Sequence, residues 1–210
     1  MTIAIALTKG RFEKASIAML KKEGYGVEAL KEKGRTLVFE DTQKDIRYFL
    51  VKPNDCITYV QHGVADIGIV GKDTLMEGSD DYYELLDLNI GKCRFILGGL
   101  KGHNPFDKLG HITIGTKYPN VAKAYFMEKG REIECIKIDG SVELAPLLGL
   151  CDGIVDIMET GDTLRENGLV VFDTLCDLSA RVIVNKASLK LKQTAVCAVL
   201  EDLQRGSEAC

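Results

Sequence analysis

Short β-branched runs alternate with longer amphipathic ones along this chain, the pattern expected of strands joined by crossover helices. Ile3 to Leu7 reads as a strand, and Phe12 to Lys22 as a helix with Ala15, Ala18, Met19 and Lys22 on one face. Gly24 and Gly26 stop that helix. Thr36 to Phe39 and Ile46 to Val51 read as two more strands, and Pro53 suits the first turn of a helix running to His62. Ile67-Gly68-Ile69-Val70 reads as a buried strand, with Gly71-Lys72-Asp73 as the turn that leads out of it. Two extended segments follow between Leu86 and Leu100.

A second series begins at Ile112 to Gly115, a strand. Pro119 to Glu128 reads as a helix closed by Gly130, and Ile133 to Ile138 as a strand. Ser141 is a suitable N-cap for a helix over Val142 to Leu148. Gly153 to Ile157 is the next strand, and Thr160 to Glu166 a short helix ended by Asn167-Gly168. Leu169 to Leu175 and Arg181 to Asn185 are extended, and Ser188 to Gln204 forms a terminal helix. The two series predict two α/β lobes, one from 1–90 plus 176–210 and the other from 91–175, with a ligand cleft between them.

Composition narrows the function. The 210 residues are 46% hydrophobic, enough for a sizeable core. Lys plus Arg (27) nearly balance Asp plus Glu (31), for a formal charge of -4, which leaves no nucleic-acid footprint but allows local cations to bind small anions. The seven cysteines, at 56, 93, 135, 151, 176, 197 and 210, include no Cys-x-x-Cys pair and no zinc-ligand spacing. They read as reduced thiols, most of them small buried hydrophobes. The apolar run at Ile3 to Leu7 is short and is followed at once by Lys9 and Arg11, which is neither a signal-peptide core nor a membrane span. A soluble, cytoplasmic protein is expected.

Chemistry concentrates where the strand Gly153 to Ile157 runs into Glu159-Thr160-Gly161-Asp162-Thr163-Leu164. A strand feeding a tight turn and a helix start points several free N–H groups at one spot, a setting for an anion. Thr160 and Thr163 add hydroxyls, and Gly161 permits close backbone approach. Asp156, Glu159 and Asp162 suit ribose hydroxyls or a magnesium ion better than a phosphate. An ordinary helix start, with Thr160 as N-cap, accounts for the same residues.

In the first lobe Lys9, Arg11, Arg35 and Lys52 all fall at strand ends. A lone Lys or Arg is usually a solvated surface charge, but four at strand ends suggest a binding edge. Arg94 and Arg181 fall where the chain passes between lobes, and for them ion pairing and substrate contact both stand. Asp66-Ile67-Gly68-Ile69-Val70-Gly71-Lys72-Asp73 lacks the spacing of a dinucleotide fold and the Gly-Lys-Ser/Thr of a P-loop. His62, His103 and His111 read as surface or satisfied histidines, and Tyr82, Tyr83 and Tyr118 as packing residues.

Gly140-Ser141-Val142-Glu143-Leu144-Ala145-Pro146, Gly149-Leu150, Asp152 and the stretch from Ile154 to Leu169 resemble the signature of the ATP phosphoribosyltransferase family, which opens histidine biosynthesis. Lys9-Gly10-Arg11, Val64 to Asp73, Cys93-Arg94-Phe95, Thr116 to Pro119 and Ala180-Arg181 resemble the family's other segments. The similarity stops near residue 205, where the family's long form continues into a regulatory domain, which implies the short form.

The resemblance implies an α/β, two-lobed fold of the type II periplasmic-binding-protein kind, with mixed sheets and flanking helices. It implies joining N1 of the ATP adenine to C1 of phosphoribosyl pyrophosphate, with Mg2+ required and pyrophosphate expelled. Lys9, Arg11, Arg35 and Lys52 become the catalytic cations for ATP and pyrophosphate, and Asp156 with Glu159, Thr160, Gly161, Asp162, Thr163 and Leu164 the phosphoribosyl site. Lys9, Gly10, Arg11, Asp66, Gly68, Gly71 and Arg94 become nucleotide contacts, and for Gly68 and Gly71 close packing of strand and loop competes with that role. The family more usually carries Arg where this chain has Lys52, so the planar two-point fork is lost while the charge stays. The implied assembly is a homodimer joined by a histidyl-tRNA-synthetase-like regulatory subunit, through which histidine feedback acts. A non-catalytic small-anion or nucleotide-binding protein shares the fold and stands as the alternative.

Overall fold

The computed structural model describes residues 2–30, 36–78 and 81–208. Its contacts divide into two units, Met1–Gly91 with Ser179–Cys210, and Lys92–Leu178. The first unit runs through β1 (Ile3–Thr8), α1 (Glu13–Lys22), β2 (Val38–Asp41), β3 (Ile46–Val51), α2 (Pro53–Gln61), β4 (Ile67–Gly71), α3 (Lys72–Glu77) and β5 (Tyr83–Asp87). The second holds β6 (Cys93–Leu100), β7 (Thr113–Thr116), α4 (Pro119–Glu128), β8 (Glu134–Lys137), α5 (Leu144–Leu147), β9 (Gly153–Met158), α6 (Asp162–Glu166) and β10 (Leu169–Leu178). The chain then returns to the first unit with β11 (Ala180–Val184), α7 (Lys186–Leu191) and α8 (Gln193–Glu208).

In unit 1 the strand order is β2-β3-β1-β4-β11-β5. β1 pairs in parallel with β3 and β4, while β11 is antiparallel to β4 and β5. Side chains alternate across a strand, and here both faces are covered, which is why β1 and β4 read as continuous apolar runs. Ile3, Ile5 and Leu7 pack with Ile17 and Leu20 of α1 and Val196, Val199 and Leu203 of α8. Ala6 points to the other face, onto Cys56, Ile57 and Val60 of α2. Burial pushes the Cys56 thiol up to about 12, so it behaves as a small hydrophobe.

Unit 2 has its own sheet, β10-β6-β9-β7-β8. β6 is antiparallel to both neighbours, and β7 is parallel to β8 and β9. Tyr118, Val121, Ala122 and Phe126 at and in α4 close one face over Phe95, Leu97, Ile114 and Val155, with Phe95 and Tyr118 packed edge to face. Val142 and Leu164 close the other over Ile96 and Ile154.

Several helices are shorter than their sequence patterns. The Val142–Leu148 helix contracts to α5, because Pro146 has no N–H to return to Val142 and the segment opens on i to i-3 turns, Leu144 N to Ser141 O and Ala145 N to Val142 O. The Thr160–Glu166 helix starts only at Asp162, since Gly161 is left-handed with φ 80°. The terminal helix is two helices that meet at Lys192, and its start moves up to Lys186 because Asn185 Oδ1 accepts the N–H groups of Ala187 and Ser188. The turn expected at Gly71-Lys72-Asp73 is the start of α3, with Gly71 at its N-cap.

His111 meets Glu134 at 2.9 Å on the surface, and Tyr82 and Tyr118 are buried packing residues, whereas Tyr83 is 40% exposed. The six described cysteines are free thiols. No helix among the described residues is long and apolar enough to cross a membrane.

Asp41 ties the end of β2 to the turn after α1, accepting N–H bonds from Gly26 at 2.7 Å, Gln43 at 3.0 Å and Lys44 at 3.2 Å. Burial acts to raise its carboxyl, but the three N–H bonds and the Lys44 charge outweigh burial and hold it below the ordinary carboxylate range. A carboxyl depressed in the folded state contributes stability above its unfolded pKa and loses it as pH falls through the folded value. Acidification below about pH 4 is therefore expected to destabilise the protein, and Asp41→Asn to flatten that dependence in urea titrations run at successive pH values.

Candidate functional site

The cations of unit 1 are placed by strand register. Thr8 of β1 lies opposite Val51 of β3 in a parallel pair, and Lys9 N donates to Val51 O at 2.8 Å. Lys9 and Lys52 thus leave adjacent strands at one edge of the sheet, both exposed and neither in an ion pair among the described residues. Gly10 has a positive φ of 98°, which turns the chain back toward α1 and is a conformation glycine adopts without strain. Arg11 sits over the Phe12 ring, 4.5 Å from its centroid, and reaches Asp73 at 3.7 Å. Arg35 lies outside the described residues.

Three residues expected to touch nucleotide are occupied by the fold. Asp66 is 2% exposed at the opposite end of β4, where its carboxylate accepts from Ala4 N at 2.9 Å, Ser188 Oγ at 2.6 Å and Lys192 Nζ at 2.8 Å. It is a structural anchor that fastens β1 to α7 and α8. Gly68 lies under α2, and a Cβ there would come within 2.8 Å of Cys56 Sγ and Val60 Cγ2. Close packing of strand on helix requires this glycine. Gly71 stays near the cationic edge, but a Cβ would meet Asp73 Oδ1 at 2.0 Å and Phe12 at 2.8 Å, so it too serves packing.

Arg181 is claimed by ion pairs: Asp87 at 2.9 Å and Glu84 at 3.6 Å, with Lys72 on the same Glu84 at 2.7 Å. Arg94 belongs to unit 2. It is exposed on β6, opposite Met158 of β9 and Asp177 of β10, which places a cation beside the point where β9 runs into the Thr160 loop.

That loop is built by Gly161. A Cβ at Gly161 would approach Met158 Sδ to 2.9 Å, and its left-handed φ turns the backbone from β9 into α6. Leu164 is buried with Ile96, Ile154 and Leu169, so its side chain anchors α6 and contributes no contact at the surface. α6 has five residues, so the dipole available is small and backbone N–H groups of the loop are the principal donors. Thr160 Oγ1 donates to Asp162 Oδ2 at 2.5 Å, and Arg165 pairs with the other oxygen of Asp162. The Thr160 hydrogen bond, then the Arg165 charge, hold the Asp162 carboxyl below its ordinary range. Arg165 therefore neutralises the carboxylate least suited to an anion site. Sequence reading passed over Arg165, although its spacing of three from Asp162 on a helix was a usable signal.

Asp156 accepts from the N–H of Ile157 at 2.8 Å and is half-buried, while Glu159 is exposed. Among the described residues no three His, Cys, Asp or Glu side chains converge to hold a metal ion. The cavity of about 630 Å³ in unit 2, lined by Pro105, Lys108, Pro146, Leu150 and Asp152, lies where β7 and β9 begin, the far end of the sheet from the loop.

Asp66→Ala is expected to lower the unfolding free energy by about 3 kcal/mol in urea denaturation, because it strands the Lys192 ammonium and the Ala4 N–H. Substrate KM values should stay within about twofold, and a large KM change would return Asp66 to the site.

Residues 52–205 match the ATP phosphoribosyltransferase family model. An ATP phosphoribosyltransferase of Clostridium acetobutylicum is 53% identical over 203 residues, covering 97% of this chain and 94% of that protein. One of Bacillus mycoides is 52% identical over 203 residues, covering 97% and 96%. Among solved structures, the ATP phosphoribosyl transferase (HisG:HisZ) complex from Thermotoga maritima superimposes with a TM-score of 0.86 at 37% identity, covering all of both chains. The periplasmic aliphatic sulphonate-binding protein SsuA of Escherichia coli superimposes with a TM-score of 0.61 at 11% identity, over 98% of this chain and 68% of that one, which establishes the type II periplasmic-binding-protein fold alone. Family match, relatives covered over nearly their whole length and fold agree: the chain belongs to the ATP phosphoribosyltransferase family, the enzymes of the first step of histidine biosynthesis.

Proposed function

We propose that this chain is the catalytic subunit that condenses ATP with phosphoribosyl pyrophosphate, giving phosphoribosyl-ATP and pyrophosphate. The observation that carries the residue assignment is the pairing of Lys9 with Lys52 at adjacent strand ends, exposed and without ion-pair partners among the described residues. N1 of adenine already holds a lone pair, so attack on C1 requires no deprotonated nucleophile. Catalysis then rests on positioning and on stabilising the charge that develops on the departing pyrophosphate.

In this reading Lys9, Arg11 and Lys52 hold ATP and the pyrophosphate oxygens, with Arg35 as a fourth cation. The N–H groups and hydroxyls of Thr160, Gly161 and Thr163 hold the 5'-phosphate. Asp156 and Glu159 take the ribose hydroxyls, and Arg94 adds a cation on the sugar-phosphate side. Among the described residues no carboxylate cluster could hold a metal ion by itself, so in this reading magnesium comes in on substrate phosphates, with Asp156 or Glu159 contributing one or two protein oxygens. Bound there, the ion would neutralise phosphate charge.

The Thermotoga maritima relative is a HisG:HisZ complex, which supports a partner of that kind for this chain. We propose a homodimer joined by a histidyl-tRNA-synthetase-like subunit that carries histidine feedback, working in the cytoplasm. Fold alone does not fix function, so the second reading is a small-anion or nucleotide-binding protein of the same fold without turnover.

The deciding assay mixes the chain with ATP, phosphoribosyl pyrophosphate and magnesium and follows pyrophosphate release and phosphoribosyl-ATP. Nucleotide binding without product, even after the regulatory partner is added, would favour the second reading. In the same assay Lys52→Ala is expected to lower kcat about 100-fold while ATP affinity changes less than about fivefold; an unchanged kcat removes Lys52 from the catalytic set. Gly161→Val combined with Thr163→Ala should raise the KM for phosphoribosyl pyrophosphate more than about tenfold, since valine cannot hold a φ of 80° and meets Met158.

A further inference from the structure

We infer that the hydroxyl of Thr8 and the open first turn of α2 form a diphosphate-binding site on unit 1, completed at its rim by Lys9 and Lys52. The inference rests on the proposed reading of unit 1 as the pyrophosphate side and adds to it two groups that sequence reasoning did not single out.

Thr8 is 2% exposed, and its Oγ1 is buried without a hydrogen-bond partner among the described residues. A buried hydroxyl left unsatisfied is destabilising, and such groups in native proteins call for an explanation. Its direction follows from strand alternation. Ile5 and Leu7 face α1 and α8, whereas Ala6 faces α2, so Thr8, two residues beyond Ala6, faces α2 as well.

Its level on α2 follows from Cys56, whose Sγ lies 3.7 Å from Ala6 O. Two residues along a strand advance about 6.6 Å, which brings Thr8 level with the residues before Cys56, the first turn of α2. That turn has Lys52 at the N-cap with no side chain capping it, and Pro53 removes one donor. Cys56 N closes onto Lys52 O at 3.0 Å, leaving the N–H groups of Asn54 and Asp55 for an acceptor from outside the helix.

Hydroxyl, amides and two ammoniums spread over adjacent strands suit an anion with several oxygens on two centres, which is a diphosphate rather than a lone carboxylate. Asp55 is the opposing charge in the turn, and it is exposed. Lys9 and Lys52 outnumber it.

The test is titration calorimetry of inorganic pyrophosphate onto the full chain, in wild type, Thr8→Val and Thr8→Ser. Valine keeps the volume and removes the hydroxyl; serine keeps the hydroxyl. Thr8→Val should raise Kd about tenfold with Tm unchanged or higher, and Thr8→Ser should stay within about twofold. An unchanged Kd in Thr8→Val, or a wild type that does not bind pyrophosphate, overturns the site. Should Thr8→Val fail to fold, Thr8→Ala gives the same reading of Kd. A chain that shows the tenfold loss but makes no phosphoribosyl-ATP keeps this site and loses the transferase reading. One that turns over while Thr8→Val binds pyrophosphate normally does the reverse.

Discussion

The parallel pairing of β1 with β3, in the register Thr8 to Val51, is the constraint on which the first unit's chemistry depends. Parallel neighbours end at the same edge, so residues 43 positions apart in sequence leave the sheet side by side, and Lys9 and Lys52 are such a pair. A shift of one residue would turn Ala6 away from α2 and carry Ile5 onto a face with no room for it. Core packing therefore holds the register, and the register holds the cations. Asp66 secures the other end of the same strand through Ala4, so the end with unpaired lysines is braced from the end where the charges are paired.

Electrostatics sorts the cations by whether the fold supplies them with carboxylates. Arg181, Lys72 and Lys192 each meet an acid within ion-pair distance, and these pairs consume the charge that a ligand would otherwise use. Lys9 and Lys52 meet none among the described residues, and Arg11 stands between the groups, stacked on Phe12 and 3.7 Å from Asp73. Two unneutralised ammoniums at one strand edge repel each other, an arrangement that favours an incoming anion. In unit 2 the problem is inverted. The loop after β9 carries acids, and Arg165 offsets Asp162 so that the backbone donors around Gly161 are not opposed by it.

Much of this was legible in the residues. β1, β3, β4, α2 and α4 lie close to where periodicity, Pro53 and Pro119 put them, because period and capping are local properties. The resemblance located the loop from Asp156 to Leu164, and Gly161 at its turn is the glycine that local conformation demands. Helix lengths were less legible where one residue breaks a pattern: Pro146 in α5 lacks a donor, and Lys192 divides two helices that share an apolar stripe.

The sequence alone determined the family, the strand and helix periods and the cationic strand ends, since these depend on residues near one another or on the type of each residue. Tertiary structure alone decided which charges are spent and which are available. Asp66, Gly68 and Leu164 sit inside family motifs yet serve packing, and Arg181 is bound by carboxylates nearly a hundred positions away. The buried hydroxyl of Thr8 is likewise invisible in the string of letters, because whether a donor has a partner is a fact about space.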